Sequence, residues 1–339
     1  MAKKEQQKFN FNMKIAVIGG GSWATALVKI VTDNNGSVGW WIRNEENIEH
    51  LKTHRHNANY LRSVEFPMER IHLSSNINDI VDEADCLIFA IPSAFLKNAL
   101  NNLSIDISNK LIFSAIKGIV PDENLIVGEF FHEKYGIALE NIGVISGPCH
   151  AEEVALERLS YLTLACLKTE KAEALAKEMN GDYIKTTISD DIYGTEYSAV
   201  LKNIYAIAAG ICHGLGYGDN FQAVLVSNAI REMKKFIKAV HPIKRDINNS
   251  AYLGDLLVTA YSQFSRNRTL GNMIGKGYTV NSAILEMNMV AEGYYAANLI
   301  REVRKIHDVR MPIANAVYKI LYEGKSPKRI MLKLADKLN

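Results

Sequence analysis

The sequence predicts an N-terminal α/β domain built on a doubly wound sheet, followed by an all-helical C-terminal domain. Three observations carry this reading. Residues Met13–Thr25 (MKIAVIGGGSWAT) pass from a buried-strand composition through three glycines into a helical pattern. Apolar, β-branched runs then alternate with helical segments up to about residue 190, the pattern of a right-handed doubly wound sheet. From Thr195 the β-like runs stop and long helical segments take over. A chain of 339 residues has room for two domains at about 150 residues each. The expected division is a disordered or loosely ordered tail at 1–12, a first domain at 13–194 and a second at 195–339.

The first element also carries the first chemistry. Lys14–Ile18 reads as a strand buried on both faces, and Ala24, Ala26, Leu27, Ile30 and Val31 give the following helix its apolar stripe. The spacing Gly19-x-Gly21-x-x-Ala24 fits the dinucleotide fingerprint of a Rossmann-type domain, with Ala in the third place. Gly19 permits the tight turn, Gly21 lets a pyrophosphate approach the backbone, and Ala24 lets helix and strand pack closely. The helix N-terminus adds free N–H groups and a positive dipole end. Ser37–Ile42 is the second strand, and Arg43 follows it. An NAD-specific site places an acidic residue about 20 residues after the glycines, whereas an Arg there suits a 2′-phosphate. With Glu45 and Glu46 close by, NADP is expected ahead of NAD, with both usable.

The remaining elements follow in order. Asp85–Ile91 is a buried strand closed by Pro92, and Ser93–Leu100 is helical. Leu111–Ala115 is a strand that leads into Ile116-Lys117-Gly118. A Lys at the carboxyl end of a parallel strand points into the crevice where such sheets bind ligands. Val144–Ile145 runs into Ser146-Gly147-Pro148-Cys149-His150-Ala151 and a helical segment. Tyr161–Cys166 and Tyr183–Thr187 close the sheet around a helix at Glu170–Met179. The second domain reads as helices at Glu196–Gly210, Asn220–Val240, Ala251–Ser262, Asn281–Arg304 and Ile313–Tyr322. Lys202 and Asn203 interrupt the apolar surface of the first of these. Asp255, beside Gly254 and ahead of an apolar run, has the form of an N-cap.

Composition narrows the function further. Apolar residues make up 48% and charged residues 22%, enough for a sizeable core. The net charge of +2 gives no polyanion-binding surface, so no nucleic-acid partner is expected. Cys86, Cys149, Cys166 and Cys212 form no CxxC pair and read as free thiols of a reducing, cytoplasmic compartment. No metal site is expected. His50, His54 and His56 lie in a polar stretch that reads as a solvated loop or helix face. The first twelve residues lack an apolar core and are not a signal peptide, and no apolar run is long enough for an integral membrane span.

Seven segments together resemble the bacterial NAD(P)-dependent glycerol-3-phosphate dehydrogenase family. They are Gly19–Leu27 (GGGSWATAL), Ala115–Gly118 (AIKG), Ile145–Glu153 (ISGPCHAEE), Glu196–Asn203 (EYSAVLKN), Tyr252–Leu257 (YLGDLL), Ser265–Arg268 (SRNR) and Val290–Gly293 (VAEG). The resemblance implies a 6-phosphogluconate-dehydrogenase-like pair of domains, a homodimer, and oxidation of sn-glycerol 3-phosphate. The reaction would run physiologically as reduction of dihydroxyacetone phosphate for phospholipid synthesis. It implies that Ser22, Trp23, Arg43, Lys117, Ala151, Arg266, Val290 and Glu292 contact the cofactor beside Gly19 and Gly21. It implies that Lys117, Gly147, Cys149, Lys202, Asp255, Ser265, Arg266 and Asn267 line the substrate site, with Lys202 as the general acid/base. The chain departs from the family at Ala24, where Gly is usual, and at Cys149, where Ser or Thr is usual. A thiol is a weak donor and acceptor.

The residues support this chemistry on their own terms. Hydride transfer belongs to a nicotinamide, and a hydroxyl that loses hydride must also lose a proton to a general base. A phosphate needs cations and convergent N–H donors, which Ser265-Arg266-Asn267-Arg268 offers in four residues. Read alone, that stretch is equally a polar turn between helices. Two alternatives stand beside this reading: a β-hydroxyacid or ketopantoate-type dehydrogenase, which would bind a carboxylate, and a non-catalytic dinucleotide sensor, which would lack a proton-transfer residue.

Overall fold

The computed structural model describes residues 13–287 and 290–339, and the expected tail at 1–12 lies outside them. Strands β1 (Ile15–Ile18), β2 (Val38–Trp41), β3 (Ile71–Ser74), β4 (Cys86–Phe89), β5 (Leu111–Ser114), β8 (Ile142–Ser146), β9 (Ser160–Cys166) and β10 (Ile184–Ser189) form one eight-stranded sheet, with β6 (Ile119–Val120) and β7 (Leu125–Ile126) as a separate hairpin. The sheet order is β10-β9-β8-β5-β4-β1-β2-β3, so β1 lies inside it, paired with both β2 and β4. Helices α1 (Ser22–Asp33), α2 (Glu45–His54), α3 (Ile77–Glu83), α4 (Leu96–Leu100), α5 (Val127–Tyr135), α6 (Ala151–Ala155) and α7 (Thr169–Met179) accompany the strands.

Both faces of the sheet are covered, which explains why its central strands are apolar without alternation. Ile15, Val17, Trp40, Ile88 and Phe113 pack on one face with α1 residues such as Leu27 and Ile30. Ala16, Ile18, Leu87, Phe89 and Ile112 pack on the other with Ile80, Leu96 and Phe131. The sheet is parallel from β3 through to β8 and reverses at β9, which runs antiparallel to β8. A uniformly doubly wound sheet would need a helical crossover there. The connection from β8 to β9 carries only α6, a helix of five residues, in place of a full crossover helix, and the chain turns back along β8. The same shortness keeps residues 147–155 beside the sheet's carboxyl edge.

The helical region comprises α8 (Ile192–Gly214), α9 (Asp219–Val240), α10 (Asp255–Tyr261), α11 (Arg266–Gly275), α12 (Val280–Glu286), α13 (Glu292–Ile306), α14 (Pro312–Leu321) and α15 (Pro327–Ala335). Helix α8 is its axis: almost every residue of it is buried, and α9, α10, α11, α13 and α14 pack around it. The single helix expected at Asn281–Arg304 is two, since α12 ends at Glu286 and α13 begins at Glu292; Asn288 and Met289 lie outside the described residues. The helix expected from Ala251 opens with a wide π-type turn, Ser250–Gly254, before α10. Among the described residues no helix is long and apolar enough to cross a membrane.

Candidate active site

The turn from β1 to α1 is built as a phosphate cradle. Gly19 has φ +139°, and a Cβ there would stand 2.5 Å from the Ala90 carbonyl oxygen at the end of β4. A side chain is excluded on both counts. The Trp40 indole donates to the Gly19 carbonyl at 2.7 Å and fixes the turn from the other side. Gly21 is the opposite case: a Cβ there would meet nothing within 4 Å. It caps α1 without a side-chain bond, leaving first-turn N–H groups for an incoming acceptor. Gly21, Ser22 and Trp23 border a crevice between the sheet and the helical region, and the buried Trp23 indole N–H has no partner. A bare glycine, unsatisfied N–H donors and a helix N-terminus fit the pyrophosphate of a dinucleotide.

At the floor of the crevice three charges from three elements meet. Lys202, on α8, is 3% exposed and pairs with Asp255, which is 2% exposed. Lys117, after β5, places its Nζ 3.9 Å from the second Asp255 oxygen, to which the Ser146 hydroxyl at the end of β8 donates at 3.3 Å. Asp255 is therefore not an N-cap. It is the first residue of α10, and its carboxylate is spent on the lysines. The Asn203 amide donates to the Lys117 carbonyl at 2.9 Å and ties α8 to the β5 turn. Burial pushes the Lys202 ammonium down to about 7, against the pull of Asp255 and with a further push from Lys117. Burial alone would raise Asp255, but the two lysines hold its carboxyl below the usual range. The Cys149 thiol is pushed up to about 12 by burial, so it stays protonated and is no nucleophile.

The third wall comes from the start of α11. Ser265 caps the helix by accepting from the Arg268 N–H. Asn267 accepts from the Gly293 N–H at 2.8 Å, and Arg266 donates to the Val290 carbonyl at 3.3 Å, so α11 carries the start of α13. Glu292 in turn accepts from the Ser93 N–H at 2.9 Å and hydroxyl at 2.7 Å, joining α13 to the loop after β4. Burial raises the Glu292 carboxyl above its ordinary value. Helix α11 meets α8 backbone to backbone. Gly210 and Gly214 on α8 face Gly271 and Gly275 on α11, and a Cβ on Gly210 or Gly271 would lie 2.1 Å from a carbonyl oxygen of the other helix. No side chain fits at this crossing.

The structure brings Gly21, Ser22, Trp23, Lys117, Cys149, Ala151, Lys202, Ser265, Arg266, Asn267, Val290 and Glu292 to one crevice. It leaves four of the expected residues off its surface. Gly19 is buried in the turn, and Asp255 lies beneath Lys202. Gly147, with φ +116° and no room for a Cβ against the Tyr161 carbonyl, shapes the backbone. Arg43 is exposed at the carboxyl end of β2, outside the crevice, while Glu45 accepts from the Ser75 hydroxyl. His150, Thr259 and Phe264 also border the crevice, and no local sequence signal marks them. Ser93 carries such a signal, since a residue just past a central strand's carboxyl end is positioned to reach the crevice.

A dinucleotide cradle on a sheet, facing a buried lysine and an anion clamp on helices, defines a two-domain NAD(P)-dependent dehydrogenase acting on a small molecule. The family models for the N-terminus and C-terminus of NAD-dependent glycerol-3-phosphate dehydrogenase match residues 14–172 and 191–332. The chain belongs to the NAD-dependent glycerol-3-phosphate dehydrogenase family. It is similar to the NAD(P)+-dependent glycerol-3-phosphate dehydrogenases of an Exiguobacterium species, 34% identical with 94% of each chain covered, and of Staphylococcus haemolyticus, 35% identical with 93% of this chain and 95% of that one covered. The crystal structure of glycerol-3-phosphate dehydrogenase from Coxiella burnetii superposes with a TM-score of 0.88 at 25% identity, covering 95% of this chain and 98% of that one. A ketopantoate reductase from Ralstonia eutropha shares the fold at 14% identity, with a TM-score of 0.58 and 95% and 100% of the two chains covered.

Proposed function

We propose that this chain catalyses reversible hydride transfer between NAD(P)H and dihydroxyacetone phosphate, yielding sn-glycerol 3-phosphate for phospholipid synthesis. The observation that carries the reading is the Lys202–Asp255–Lys117 cluster lying between the α1 turn and the start of α11. The first domain, at 13–194, holds the cofactor and the second, at 195–339, the substrate. Gly19 and Gly21 shape the turn that receives the pyrophosphate, Ser22 and Trp23 border it, and Ala151, Val290 and Glu292 lie along the same crevice. Arg43 serves the adenosine end, and its charge favours NADPH over NADH.

The nicotinamide, when bound, supplies or accepts the hydride. In the reductive direction Lys202 gives its proton to the oxygen on C2, and in the oxidative direction it takes that proton back. Asp255 fixes the ammonium in place, and Lys117 beside it favours proton release. Arg266 and the free N–H groups at the start of α11, where Ser265 and Asn267 hold the backbone, take the substrate phosphate. Cys149 borders the crevice, and Gly147 shapes the turn that carries it. A carboxylate substrate would not need a guanidinium, a helix N-terminus and two lysines together, which separates this reading from the ketopantoate type. A sensor would not keep a buried lysine of lowered pKa. The resemblance further supports a cytoplasmic location and a homodimer, and sedimentation of the purified protein tests the latter. The decisive assay follows oxidation of NADPH and NADH with dihydroxyacetone phosphate. Turnover dependent on that substrate is expected with both, faster with NADPH, and its absence with both overturns the reading.

A further inference from the structure

We infer that His150 is a specificity residue, whose imidazole accepts a hydrogen bond from the substrate's terminal C1 hydroxyl. The inference rests on the proposed substrate, dihydroxyacetone phosphate, and deepens it. That molecule presents three polar groups: a phosphate, the C2 carbonyl and the C1 hydroxyl. The first two accept hydrogen bonds, and Lys117, Arg266 and the ammonium form of Lys202 that reduction requires donate without being able to accept. The hydroxyl is the group with a proton to give, so it needs an acceptor.

Three of the side-chain acceptors nearest the lysines and the start of α11 are committed. Both oxygens of Asp255 face lysines, those of Glu292 hold Ser93, and that of Asn267 holds the Gly293 N–H. His150 also borders the crevice, with its ring against Phe264 at 6.3 Å between centroids. Its Nε2 is buried and has no hydrogen-bond partner, a condition that carries a free-energy penalty until a partner arrives. Burial and the charges of Lys202 and Lys117 push the imidazole down to about 4, with Asp255 opposing. The ring is therefore neutral near pH 7 and keeps one nitrogen lone pair.

The test compares dihydroxyacetone phosphate with hydroxyacetone phosphate, which lacks the C1 hydroxyl, in wild type, His150→Phe and His150→Gln. Wild type is expected to prefer the hydroxylated substrate by about tenfold or more in kcat/KM. His150→Phe keeps a ring of similar size. It should lower kcat/KM for dihydroxyacetone phosphate by about 10- to 100-fold, leave that for hydroxyacetone phosphate within about threefold, and so erase the preference. His150→Gln, which retains an acceptor, should recover part of it. Equal losses on both substrates would mean that the ring only packs, and no loss on either would mean that it faces no hydroxyl; each overturns the inference. His150→Ala gives the same comparison where the Phe variant does not fold. A wild-type enzyme that leaves dihydroxyacetone phosphate unreduced overturns the parent reading instead, so the two failures are told apart.

Discussion

At the residue scale the site depends on how two lysines share one buried carboxylate. Replacing Lys202 by Met keeps the stem in its apolar sleeve on α8 and removes the proton. NADPH binding, followed by fluorescence, should persist, while single-turnover oxidation of NADPH slows by about 10²-fold or more. A near-wild-type rate would move the role to Lys117. The lowered Lys202 value also gives the pH dependence a sign. Reduction requires the ammonium, so kcat/KM for dihydroxyacetone phosphate should fall as pH rises through about 7, while glycerol 3-phosphate oxidation should rise over the same range. Arg43 lies apart from this cluster, exposed beyond β2. Arg43→Ala should therefore raise the KM for NADPH several-fold more than that for NADH and leave kcat nearly unchanged. Equal effects on the two cofactors would remove Arg43 from 2′-phosphate recognition.

At the element scale Lys202 and the proposed anion clamp ride on two helices locked by glycines. A Cβ on Gly271 would stand 2.1 Å from the Ile207 carbonyl oxygen, a backbone atom that cannot rotate aside. Gly271→Ala must push α11 away from α8. The expected loss is about 1–3 kcal/mol of stability, as for other overpacked contacts. The KM for dihydroxyacetone phosphate should rise about tenfold and NADPH affinity should fall by less, since α11 also holds Val290 and the start of α13 while the α1 turn lies on the other side of the crevice. Equilibrium denaturation and initial rates check the two parts. Much of this scale was legible in the sequence: the β1 turn, the apolar strands and α8 announce themselves through local composition. What was not legible depends on partners distant in the chain. Asp255 reads as a cap because its neighbours are Gly254 and an apolar run, and nothing local reveals its pairing with Lys202. Gly210 and Gly271 look like isolated helix glycines until the two helices cross. Strand β3 (IHLS) is a partly exposed edge with little apolar signal, and the reversal of β9 is a matter of loop length that the strand composition does not carry.

At the scale of the whole molecule, the sheet and the helices are joined by polar contacts as well as apolar ones. Glu196 on α8 accepts from the Gly128 N–H in the first turn of α5, and complete burial raises its carboxyl from 4.5 to about 8. Between those values the native state holds a proton that the unfolded chain has released. Stability is thus fully present below about 4.5 and declines as pH rises towards 8. Glu196→Gln removes that dependence, so the melting temperature of the variant relative to wild type should increase between pH 5 and pH 8.5; a constant difference would show that the carboxylate is already ionised in the native protein. The burial of α8 has a further consequence, for synthesis rather than for catalysis. This helix is buried around nearly its whole circumference, and the partners that cover it come late: α11 begins at residue 266 and α14 at residue 312, about a hundred residues after α8 ends. At roughly 5–20 residues per second on the ribosome, α8 waits about 5–20 s before its last neighbour is made. The nascent chain is therefore most prone to aggregation, and most dependent on a chaperone, while residues 215–320 are being translated.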